Sequence, residues 1–179
     1  LLAQIFHGGL RADKTVCGGR PISSSDGGPD GARAASEQDI QDVIEDFARA
    51  AERAHAAKMD GIEIHVAHGY LFTQFLSATE NCRVDQWGGS YENRARLLRR
   101  VVQAVRSRVP ASFVVGVRIS PEDGGNARGI DLDESLQLAR WLTDDGIDFL
   151  HLSLWDSFKM TTKRPAEHAL DLFRRIVPT

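Results

Sequence analysis

The chain has 179 residues, 42% hydrophobic and 26% charged, a balance found in globular domains and not in disordered tails, fibres or coiled coils. No apolar run approaches the ~20 residues of a membrane helix, and a formal charge of −3 lacks the basic surplus of a nucleic-acid binder. Two cysteines, Cys17 and Cys82, cannot build a disulfide framework, so a reducing compartment, the cytoplasm, is expected.

In chain order, the first apolar segment is 1–6 (LLAQIF), which predicts a strand. Its opening Leu1-Leu2-Ala3 is too short for the apolar core of a secretory signal. A stretch rich in Gly, Pro, Ser and Asp follows at 18–36, read as a long surface loop or as a lid over the strand ends. Ser36 with Asp39 three residues on approximates a capping box. Behind it Ile40, Val43, Ile44, Phe47, Ala51 and Ala54 form one stripe of a helix over 36–58. A second strand is predicted at 61–67 (GIEIHVA). Ser90 can cap the next helix, whose stripe is Leu97, Leu98, Val101, Val102 and Val105 and which ends before Pro110. A third strand is predicted at 113–119 (FVVGVRI) and a helix at 133–144 with Leu136, Ala139 and Leu142 inward. A fourth strand at 147–154 (IDFLHLSL) and a helical pattern at 167–177 complete the series.

Strand and helix alternate four times, which implies parallel strands with helices packed outside. No strand runs into a G-x-G-x-x-G turn, so the dinucleotide-binding open sheet has no signal here. Four units are half of a (β/α)8 TIM barrel, which typically needs ~250 residues. With Leu, not Met, as first residue, the chain is expected to be the middle of a longer one.

In a parallel barrel the chemistry sits at the carboxyl ends of the strands. The polar residues there are Gln4 and His7, then His65, His68 and Tyr70, then Arg118, then His151, Ser153 and Asp156. His65-x-x-His68 has three readings: metal ligands, two donors gripping one oxygen, or two histidines satisfied in a polar turn. A metal would need a third ligand, for which Glu63 sits further down the same strand face; no metal is expected. Tyr70 favours the oxygen-gripping reading, because a phenol keeps its proton at neutral pH and can donate it beside such a pair. Arg118 lies on an apolar strand and needs a buried carboxylate such as Glu63 or an anionic ligand. Gln4 is either a satisfied core amide or a ligand contact. The polar run from Asn81 to Arg94 is read as a loop fixed by its own hydrogen bonds, and the two thiols as inert.

The run HVAHGYLFTQFLSATENCRVDQWGGSYENRARLLRRVVQAVR, residues 65–106, resembles the signature stretch of the old yellow enzyme family of flavin oxidoreductases. AQIFHGG near the start is similar to that family's third barrel strand. VGVRISP, ending at Pro121, is similar to its fifth strand, and DFLHLSL (148–154) to its sixth. The resemblance implies that residues 1–179 are one partial FMN-binding TIM-barrel domain, holding strands three to six. It implies FMN as cofactor, NADH or NADPH as reductant, and an activated C=C bond as substrate. It also implies roles: Gln4 and Arg118 on the flavin pyrimidine, His65 and His68 on the substrate carbonyl oxygen, and Tyr70 as proton donor. Two positions depart from the family pattern. Gly8-Gly9-Leu10 replaces Ala-Gly-Arg after the first-strand histidine, displacing the arginine to Arg11, and Ala78 stands where the family has Pro.

The expected partner is a small-molecule substrate, with neither nucleic acid nor membrane, and homo-oligomerisation is left open. Two rival readings stay in play: another FMN barrel of the dihydroorotate or dihydrouridine type, and a non-catalytic half barrel. The latter would expose two sheet edges and invite pairing with another chain.

Overall fold

A computed structural model describes residues 1–28, 31–125 and 127–177. Its elements are β1 (Leu2–Ile5), β2 (Ile22–Ser23), β3 (Arg33–Ala34), α1 (Glu37–Ala56), β4 (Gly61–Val66), α2 (Leu71–Leu76), α3 (Tyr91–Arg108), β5 (Val114–Ile119), α4 (Leu132–Asp144), β6 (Phe149–Leu152) and α5 (Ala169–Arg174). The main sheet has the order β1-β4-β5-β6, and each neighbouring pair is parallel.

Ser36 and Ser90 cap the first two long helices as the sequence predicts, and Asp131, not singled out there, caps the third. The Ser36 hydroxyl accepts from the Asp39 amide and the Asp39 carboxylate accepts from the Ser36 amide, a complete capping box. Ser90 accepts from Asn93 N to start α3, and Asp131 accepts from the amides of Asp133 and Glu134 to start α4. All three predicted apolar stripes are buried, and α1 packs along α3.

One face of the sheet supplies the other half of this core. Ile62, Ile64 and Val66 of β4 and Val115, Val117 and Ile119 of β5 point into the helices, all nearly inaccessible. The pleat sends the alternate residues to the opposite, inner face. There the register aligns two rows: Gln4, Glu63, Gly116 and Phe149, and above it His65, Arg118 and His151. An apolar outer face and a polar inner one are what a barrel wall with a site in its mouth requires.

The elements differ from the sequence reading in several places. The outer strands are shorter than predicted, and the last helix spans six residues instead of 167–177. The short helix α2 was not predicted, because all six of its residues are buried and no amphipathic period exists to read. The 18–36 stretch, whose residues 29–30 lie outside the described ones, contains the two-residue parallel pair β2–β3. It is anchored: Ser23 and Ser24 are buried and donate to the Gln74 side chain and carbonyl at 2.9 Å each. Arg83 donates to the carbonyls of Ser24 and Ala35.

Candidate active site

The site is built on the turn that follows β4. His68 (φ 63°) and Gly69 (φ 74°) both adopt the left-handed conformation. For a residue with a side chain that conformation costs on the order of 1 kcal/mol or more. Two such residues in succession fold the chain back over the strand end, and Tyr70 then stands at the N-cap of α2. The result is a cluster of three rings. His65 and His68 lie with centroids 4.9 Å apart, and Tyr70 lies 5.3 Å from His65. Phe6, just past β1, packs 5.4 Å from Tyr70. Arg11, the arginine displaced by one in the sequence, donates from Nε to the Gly69 carbonyl at 3.1 Å and braces this turn.

Arg118 stands beside His65 in the sheet register. Its Nη2 donates to Ser153 Oγ at 3.0 Å, and His68 Nε2 lies 2.7 Å from the same hydroxyl. A guanidinium can only donate, so Ser153 accepts from Arg118, and its second lone pair and its own proton let it bond His68 Nε2 in either tautomer. Burial, with His68 and Arg118 adding to it, pushes the His65 pKa down to about 4. Burial and then Arg118 also lower that of His68. Both imidazoles are therefore neutral near pH 7 and act as hydrogen-bonding groups, not as cations.

Two buried atoms in this cluster have no hydrogen-bond partner among the described residues: Arg118 Nε and His65 Nδ1. Arg118 also forms no ion pair among those residues. The buried-carboxylate option for Arg118 is thereby corrected, because both oxygens of Glu63 are engaged elsewhere. One accepts from Gln4 Nε2 and the other from His151 Nδ1 at 2.8 Å. A free cationic donor in the wall of a barrel fits an anionic or strongly accepting ligand.

Next to the rings opens a cavity of about 720 Å³ lined by His68, Tyr70, Ser153, Trp155 and Met160, among others. That is the size of a small-molecule site. Glu122 accepts from the Thr162 amide at 2.8 Å and ties down the far side of this mouth.

Of the residues singled out from sequence, the structure gathers His65, His68, Tyr70 and Arg118 at one strand end. Gln4 lies one row lower on the same face. His7 is not brought in: its Nδ1 accepts from the Gly9 amide in its own turn. Asp156 caps the local turn at Phe158 N. Ser153 and Glu63 carry more of the site than their residue types suggested. The signal that could have found them is their place on the same pleat parity as Arg118 and His65. The 81–94 run is bound to itself and its surroundings as expected. Asn81 donates to the carbonyls of Phe75 and Trp87, and Arg94 to the Leu76 carbonyl and Glu134. Both thiols are exposed and free. Among the described residues no group of three or more His, Cys, Asp or Glu is placed to hold a metal, and no helix is long and apolar enough to cross a membrane.

A parallel sheet with one buried helical face and a polar, imidazole-rich mouth has the architecture of a segment of a TIM barrel. Comparison with known proteins gives the family. Residues 11–174 match the NADH:flavin oxidoreductase / NADH oxidase family, and the chain belongs to it. It is 36% identical over 165 residues to the probable NADH-dependent flavin oxidoreductase YqiG of Bacillus subtilis, covering 87% of this chain and 44% of that protein. It is 39% identical over 162 residues to the NADH-dependent flavin oxidoreductase nadA of Aspergillus parasiticus, covering 86% of this chain and 36% of that one. The solved structure of the old yellow enzyme homologue from Zymomonas mobilis superimposes with a TM-score of 0.82 at 29% identity. The superposition takes in 98% of this chain and 53% of that one. The chain thus spans less than half the length of these curated relatives and carries part of the family barrel.

Proposed function

We propose that residues 1–179 form the central part of an FMN-binding (β/α)8 barrel that reduces the activated C=C bond of an α,β-unsaturated carbonyl compound at the expense of NADH or NADPH. The observation that carries the reading is the clustering of His65, His68 and Tyr70 beside an Arg118 whose Nε has no partner. The unpartnered guanidinium nitrogen and the inner-face amide of Gln4 fit the carbonyl-rich pyrimidine edge of a flavin, and these two residues would hold it. Bound FMN would supply the hydride that adds to the substrate's β-carbon.

The chain's own groups do the rest. As hydride arrives, negative charge builds on the substrate carbonyl oxygen. His65 and His68, neutral and partly desolvated, donate hydrogen bonds to that oxygen. They bind it more tightly in the transition state than in the ground state, which lowers the barrier. Tyr70 gives the proton to the α-carbon. Ser153 holds the His68 ring in place through the hydroxyl it shares with Arg118. The cavity beside Tyr70 receives the remainder of a small-molecule substrate.

The test is optical. The complete protein that carries this segment should purify with a flavin absorption band. That band should bleach anaerobically with NADH or NADPH and return on addition of an enone. A colourless protein, or a reduced one that an enone does not reoxidise, contradicts the proposal. The expected site of action is the cytoplasm.

A further inference from the structure

We propose that Glu63 is a positioning residue that sets which end of the Gln4 amide faces the cofactor; this rests on the flavin reading above. Glu63 is buried in β4, directly opposite Gln4 in the β1–β4 register. Its two oxygens are divided between strands on either side: one takes Gln4 Nε2 from β1 and the other takes His151 Nδ1 from β6. Gly116 of β5 stands next to Glu63 in the same row and brings no side chain of its own; the Phe149 ring of β6 lies over it, and His151 reaches Glu63 from the row above.

A glutamine amide can present either its oxygen or its nitrogen to a neighbour, and the two ends have almost the same shape. A carboxylate removes that freedom, because it only accepts. With Glu63 alongside, the Gln4 nitrogen must turn to the carboxylate. The Gln4 oxygen, with the second N–H, is left for the inner face. That is the complement of a cyclic imide, an N–H flanked by carbonyls, which is the edge a flavin pyrimidine presents. The same logic makes His151 the donor at Nδ1, so His151 holds the carboxylate from the other side. Glu63 then acts on the cofactor only through Gln4.

The experiment is a double-mutant cycle on FMN affinity, read by quenching of flavin fluorescence in the complete barrel after removal of FMN. Glu63→Met, near-isosteric and without an acceptor, should raise the FMN Kd about tenfold, the loss of one hydrogen bond to a charged group. In a Gln4→Ala background the same change should move Kd by less than about twofold. Glu63→Asp keeps the charge but withdraws the acceptor by one methylene. It should give the same pattern, and it carries the cycle where Glu63→Met does not fold. An unchanged Kd with Gln4 present, or an equal loss with and without Gln4, overturns the positioning role. If Gln4→Ala itself leaves Kd unchanged in a folded protein, it is the assignment of Gln4 to the flavin that fails instead.

Discussion

His65 is almost wholly inaccessible, and its pKa near 4 has a consequence for stability. In the unfolded chain the imidazole titrates near 6.5, so between about pH 6.5 and 4 the unfolded state binds a proton that the folded state resists. The stability held by neutral His65 is complete above pH 6.5 and is lost as pH falls toward 4. A His65→Gln variant should show a flatter decline of the urea midpoint across that window than the unaltered protein, whereas parallel curves would mean that His65 does not titrate as the burial implies. Arg118 offers a second test at this scale. Arg118→Lys keeps the charge but loses the planar fork, and Arg118→Leu loses both. Flavin retained per mole of complete protein after gel filtration should fall in the order Arg, Lys, Leu, and equal retention in all three would remove Arg118 from the cofactor contacts. Residue types alone placed His65, His68, Tyr70, Gln4 and Arg118 at strand ends. What they could not state was who pairs with whom. That Glu63 serves Gln4 and His151, leaving Arg118 to Ser153, depends on the sheet register and on the left-handed turn at His68, and neither leaves a mark on composition or period.

At the scale of elements the amphipathic helices were legible because each has one buried stripe and a polar cap, the features that a 3.6-residue period and a serine or aspartate expose. The uniformly buried α2 and the two-residue strands β2 and β3 were not, since a period needs contrast and length. Ser36→Ala removes one half of the α1 capping box and should cost about 1 kcal/mol in chemical denaturation. Gly61→Ala should cost about 2 kcal/mol or more, because a Cβ built on Gly61 would stand 2.2 Å from the Val114 carbonyl oxygen, where β4 and β5 run side by side. A backbone neighbour cannot swing away as a side chain can. A Gly61→Ala protein of unaltered stability would mean that the strand pair has slack at that end.

At the scale of the whole molecule, the main sheet has open edges at β1 and β6. Near the β1 edge Leu2 and Phe6 are 42% and 61% exposed, although both are large apolar groups. In a closed barrel those edges pair with further strands and the polar inner row is covered. The 179-residue chain alone is therefore expected to self-associate in sedimentation velocity and to lose FMN on desalting. A monodisperse chain that keeps a flavin band would instead show that four βα units suffice for the cofactor.

The claim on which the mechanism turns is that Tyr70, held against His65 by the turn after β4, delivers the substrate proton. Rapid-mixing kinetics on a Tyr70→Phe variant of the complete enzyme separates the two half-reactions. Flavin reduction by the nicotinamide should stay within about twofold of the unaltered rate, and enone-driven reoxidation should slow by about a hundredfold or more, the scale of a lost general acid. Equal loss in both half-reactions, or none in the second, would contradict the claim, and an unaffected second half-reaction would favour an FMN barrel with a different proton donor.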